Sequence, residues 1–141
     1  MKNTNTLKGL YVTLFTLLIV HEIDSAFWKE WEMFNLPGGI QLFNVIHIVV
    51  LPIFIMGYGV LLKNIEKGIK FSLLLSILGI FAFVIHSTFL RIGYDQFKTP
   101  VSISIIVLLG IVSTYQLVVV YRIHNGLNQK MTGNKVFKQV S

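Results

Sequence analysis

Five residues in this chain, His21, Glu22, Asp24, His47 and His86, have the types and spacing to do chemistry inside an apolar setting. His21, Glu22 and Asp24 fall in one short run, His47 and His86 sit alone in later apolar stretches, and His124 lies in a polar tail. Imidazoles grouped with a carboxylate are the ligands that Zn²⁺, Fe²⁺ or Mn²⁺ accept. On a helix His21 and Asp24 share a face, while Glu22 is turned about 100° away. The candidate metal ligands are therefore His21, Asp24, His47 and His86, with Glu22 left as a supporting carboxylate or general base. A bound divalent ion brings the pKa of a water towards neutrality, and Glu22 could move its proton. Hydrolysis of a lipid or other amphipathic substrate is the reaction such a cluster would serve.

Two other readings use the same residues. In one, the polar layer only fixes helix packing in a non-enzymatic binding or assembly protein. In the other, two of the histidines are axial ligands of a haem. The chain has no cysteine, which excludes disulfides, thiolate metal sites and cysteine nucleophiles. It also has no P-loop, no glycine-rich nucleotide fingerprint and no Gly-x-Ser-x-Gly elbow.

The elements that carry these residues are set by composition. Of 141 residues, 54% are hydrophobic and only 13% charged, and mean hydropathy is +0.72. A small domain leaves much of its surface exposed, so this composition requires lipid as solvent over most of the chain. A hydrocarbon core of roughly 30 Å takes about 20 helical residues, and four segments reach that length, at about 7–28, 39–62, 69–90 and 101–121. The connections are short: Asn35-Leu36-Pro37-Gly38-Gly39 ends the first, Lys63 to Gly68 forms the second, and Arg91 to Pro100 the third. Short connections make successive helices antiparallel. The expected fold is one all-α domain, an up-down-up-down membrane four-helix bundle with a basic tail from 122 to 141.

Basic residues set the orientation. Lys2, Lys8, Lys63, Lys67, Lys70, Arg122, Lys130, Lys135 and Lys138 fall on one side, and Lys29, Arg91 and Lys98 on the other. The positive-inside rule then puts both termini in the cytoplasm, in the cell membrane. The net charge of +6 reads as this topology signal rather than as a nucleic-acid footprint. Membrane lipid is the expected partner, and a homo-oligomer is compatible with the sequence. Asp24 and Phe27-Trp28 around the only suitable cut argue against a cleaved leader, so the first span is expected to stay.

The same counting gives depth. From Leu7 to Val20 the apolar run is only about two-thirds of the length needed to cross. His21 to Ser25 must therefore lie in the outer half of the bilayer. Measured from the outer helix ends, His21, His47 and His86 lie at depths of roughly 10, 12 and 6 Å. Three histidines on three spans thus share one layer. Ser72, Leu75, Gly79, Ala82 and His86 make a mostly small or polar stripe that permits close helix approach, and Pro52 favours a kink near His47. Trp28, Trp31, Phe34, Tyr94 and Phe97 are expected as an outer aromatic belt. Glu30, Glu32 and Asp95 are expected as solvated charges on that side, and Thr114 and Gln116 as bonds to neighbouring helices.

The run His21-Glu22-Ile23-Asp24, then Glu30-Trp31, then His47 in the next span, resembles a family of small bacterial four-span membrane proteins of unknown function. Its pattern is a His-Glu-x-Asp run closing the first helix, then Glu-Trp, then a histidine in the second helix. The resemblance is strongest over about residues 15–55; Pro52 follows His47 at a longer spacing than the pattern has. It implies an architecture and a polar cluster, not a reaction. A more distant similarity is to membrane families with a His-x-x-Glu-Glu run, which this chain lacks.

Overall fold

The computed structural model describes the backbone of residues 2–140 and the side chains of residues 3–129. The side chains of Lys2, Lys130, Lys135 and Lys138, which carry part of the basic asymmetry, lie outside the described set. The chain forms α1 (Lys2–Phe27), α2 (Glu30–Met33), α3 (Gly39–Lys63), α4 (Ile65–Ile92) and α5 (Pro100–Val140). Among the described residues there is no strand, and four helices are long and apolar enough to cross a membrane: Asn3–Phe27, Gly39–Lys63, Ile65–Ile92 and Pro100–Gln129. Such helices satisfy their own backbone groups, which hydrocarbon cannot do. The protein is an all-α, multi-pass membrane bundle.

Connections fix how the helices meet. Only Asn64 separates α3 from α4, where a six-residue connection was expected. It is extended (φ −145°, ψ 105°), and its side chain accepts from the Lys67 backbone N–H, an N-cap satisfying a donor the helix cannot satisfy itself. Gly68 makes this tight reversal fit, because a Cβ there would lie 2.3 Å from Leu61 Cα. At the other end of the bundle, Lys29, Asn35 and Phe97 all have positive φ, a conformation uncommon outside glycine. Lys29 and Asn35 bracket α2 and fold it back onto the ends of α1, α3 and α4.

Helices α1, α4 and α5 form the tight part of the bundle. The buried face of α4 carries Ser72, Leu75, Ser76, Gly79, Ala82 and His86, the small-residue stripe the spacing predicts. A Cβ on Gly79 would sit 2.0 Å from Ser113 Oγ on α5, so the α4–α5 approach depends on glycine. Gln116 of α5 donates to the Ser72 carbonyl of α4 at 2.9 Å, the interhelical bond expected of it. Thr114 instead donates to the Gly110 carbonyl of its own helix at 2.7 Å, because its side chain points away from the packed seam.

Helix α3 is attached differently. It packs on α4, on part of α1 and on α2, and among the described residues its backbone does not come close to that of α5. Near the α3–α4 turn it is held closely: Phe54, Gly57 and Leu61 are buried, and Tyr11 of α1 donates to the Phe54 carbonyl at 2.9 Å. Towards α2 it splays, and Val45, Ile46, Ile48 and Val49 are all exposed. The helix runs through Pro52 without interruption. The result is a wedge between α3 and the α1–α4 pair, closed at the α3–α4 turn and roofed by α2.

Candidate metal centre and adjoining cleft

The roofed end of the wedge holds the polar residues. His21 on α1 and His86 on α4 are 2% and 1% exposed, the two histidines among the buried polar side chains, the others being serines and Gln116. Their Nε2 atoms lie 3.0 Å apart. Glu30 Oε1, brought in by α2, is 3.3 Å from His86 Nε2, and the Glu30 side chain is only 14% exposed. One donor atom from each of these three residues falls within 4.8 Å of the other two. Zn–N bonds of about 2.0–2.1 Å in a tetrahedral site imply ligand atoms roughly 3.3 Å apart. Two imidazoles and a carboxylate from three elements thus have the donor chemistry and nearly the spacing of a site with open positions.

Protonation sharpens the point. If both imidazoles are neutral, the contact between the two Nε2 atoms holds one proton: one nitrogen donates and the other accepts. A divalent ion in place of that proton would engage both nitrogen lone pairs and the Glu30 oxygen at once. His21 Nδ1, His86 Nδ1, Asp24 Oδ2 and Trp28 Nε1 are buried here without a hydrogen-bond partner, a concentration of unmet polar groups unusual in a packed interior. Burial alone would raise the Glu30 carboxyl, but His86 first, with Ser25 and His21 adding to it, outweighs burial and holds the group below the ordinary carboxylate range. Phe97, itself 1% exposed, covers the pair, with ring centroids 4.4 Å from His86 and 5.8 Å from His21.

Beside this group stands a second pair. His47 Nδ1 donates to the Phe43 carbonyl at 2.7 Å, since a carbonyl can only accept. That fixes the ring and leaves Nε2 to meet Glu22 Oε2 at 2.8 Å. The contact needs one proton, carried either by His47 as imidazolium or by the Glu22 carboxyl.

The structure therefore divides the residues singled out in the sequence. His21 and His86 come together, His47 is paired with Glu22 instead, and Asp24 stands one turn beyond His21, apart from the group. Glu30, expected to be solvated, is buried against His86 because the left-handed turn at Lys29 swings α2 inward. Glu32 and Asp95 do remain on the surface, next to Lys29 at 3.7 Å and Lys98 at 2.5 Å; the Lys98 contact holds the Asp95 carboxyl below its usual range. Phe97 and Trp31, expected in an aromatic belt, also turn inward, onto the imidazoles and onto Phe43. The adjacency of Glu30-Trp31 to a turn was the only sequence signal for this fold-back.

Both polar groups open onto one cleft of about 350 Å³, lined at its polar end by His21, Glu22, Glu30, His47 and His86 and elsewhere by apolar side chains of α1, α3 and α4 and of the α2 segment. Over residues 7–123 the chain matches the Family of unknown function (DUF6713). The chain belongs to this family, whose function is unknown. No curated protein and no solved structure matches the chain.

Proposed function

We propose that His21, Glu30 and His86 bind a divalent cation of the Zn²⁺, Fe²⁺ or Mn²⁺ type. We further propose that the site hydrolyses an amphipathic substrate taken from the lipid phase. The observation that carries this reading is the convergence of three ligand atoms, from α1, α2 and α4, within 4.8 Å. Charged groups inside a membrane are costly and are tolerated where they are paired or functional. Bound there, the ion would polarise the substrate carbonyl and activate a water. Glu22 takes the proton from that water, and His47 is the positioning residue that fixes the carboxylate. Asp24 supports the layer from one turn away. Both termini are proposed to be cytoplasmic, which places the site in the outer leaflet of the cell membrane.

A structural reading, in which the imidazoles only tie α1 to α4, is favoured by the direct His21–His86 bond. Haem is disfavoured, since a macrocycle between two nitrogens 3.0 Å apart would have to drive the rings and their helices apart. Elemental analysis with an absorption spectrum, on protein purified without chelators, separates the three. One metal ion per chain is expected in the wild type and in His47→Gln. It should be absent in His86→Gln, while a conservative change in a packing residue would leave it. A wild type with no stoichiometric metal, and none restored on titration, overturns the proposal; a haem spectrum would replace it.

A further inference from the structure

The cleft has a shape as well as a polar end. Ile46 of α3 and Phe81 of α4 both line it and are 41% and 58% exposed on the bundle surface. Its mouth is therefore a lateral slot between α3 and α4, facing hydrocarbon rather than water. Phe54 and Leu78 line the far end, and along α4 the distance from His86 to Leu78 is roughly 12 Å. That is nearly the half-thickness of a hydrocarbon core, about 15 Å. Beyond Phe54 the wedge closes, since a Cβ on Gly57 would meet the Phe71 ring at 2.7 Å. A volume of about 350 Å³ is at the lower end for small-molecule sites.

From these dimensions we infer that the cleft binds one acyl chain of a single-chain acyl ester, such as a monoacylglycerol, with the ester carbonyl at the polar end. The assignment rests on the hydrolytic reading for the bond that is cut, and on the cleft alone for the chain that is bound. A closed-ended slot of about 350 Å³ has room for one chain running along the helices rather than the two of a diacyl lipid. Moving a chain from bilayer to cleft removes no apolar surface from water, so retention comes from packing and from the carbonyl at the polar end. In the reaction, the oxygen of water bonds to the acyl carbon and its proton passes to Glu22. The acyl–oxygen bond then breaks, its electron pair leaves with the alcohol oxygen, and the proton held by Glu22 and His47 goes to that oxygen. A fatty acid and an alcohol result.

The test uses full-length protein in phosphatidylcholine nanodiscs with two probes, a monoacylglycerol and a diacylglycerol, each with a diazirine at the chain end. The monoacyl probe should label near Phe54 and Leu78 at least tenfold more than the diacyl probe at equal mole fraction. Leu78→Trp, which fills the far end of the cleft about two turns from His86, should cut that labelling about tenfold with metal content unchanged. His86→Gln should lose metal and fatty-acid release but keep the labelling. Equal labelling by both probes, or labelling confined to the outer helix faces of the wild type, overturns the chain assignment whatever the variants do. Cleft labelling in a wild type that carries no metal keeps the chain assignment and removes the hydrolytic reading.

Discussion

His21 Nε2 lies 3.0 Å from His86 Nε2, which in turn lies 3.3 Å from Glu30 Oε1, so neutral imidazoles here share one proton beside a carboxylate oxygen. Glu30→Gln keeps size and polarity but removes the charge, so metal affinity should fall by 10-fold or more, measured by competition with a chromophoric chelator; unchanged affinity would remove Glu30 from the ligand set. The metal-free protein offers a second check. Because the folded Glu30 carboxyl lies below its ordinary value, its ionisation favours the fold. That contribution is present above an unfolded value near 4.3 and is lost as pH falls through the lower folded one. Glu30→Gln should flatten the decline of thermal stability in that acid range, and an identical decline in both proteins would contradict the assignment. That the three histidines fall at one level of the bundle was legible in the sequence, because helical rise is constant. Their pairing was not. Which imidazole meets which carboxylate depends on helix rotation and on a left-handed turn at a lysine, and neither leaves a mark in residue order.

At the scale of elements, two contacts determine how the bundle is built, one in the α4–α5 seam and one holding α3. Gly79→Val forces a side chain into the space of Ser113 Oγ and should cost about 1–3 kcal/mol. Gly59 of α3 has nothing within 4 Å of a would-be Cβ, so Gly59→Ala should be neutral or slightly stabilising. Thermal unfolding in detergent compares the two, and equal losses would mean the α4–α5 seam is looser than described. Tyr11→Phe removes the bond to the Phe54 carbonyl and should cost between about 0.6 and 1.7 kcal/mol, the range found for interhelical hydrogen bonds. No loss at all would show that α3 is held by apolar packing alone. The small stripe on α4 and its burial could be read from the spacing of Ser72 to His86. The splay of α3 could not, since Val45 to Val49 are as apolar as a buried face would be, and in lipid apolarity does not distinguish inside from outside.

For the whole molecule, the four crossings were legible because span length is set by bilayer thickness, while α2 was too short to announce itself. The basic asymmetry predicts that a reporter fused to the carboxyl terminus is active in the cytoplasm. One placed in the connection between α4 and α5 should be active outside. The reverse pattern would move the proposed site to the inner leaflet without changing its geometry.

Glu30 is the one proposed ligand that no membrane-spanning helix carries. A surface strap therefore completes the proposed site, whose other donors sit on membrane-spanning helices, and the cation would be what fastens it. Withdrawing the cation with a chelator should loosen the strap first. Lys29, already 62% exposed at its side chain, then becomes the place where added trypsin nicks intact cells or vesicles, and restoring the ion closes it again.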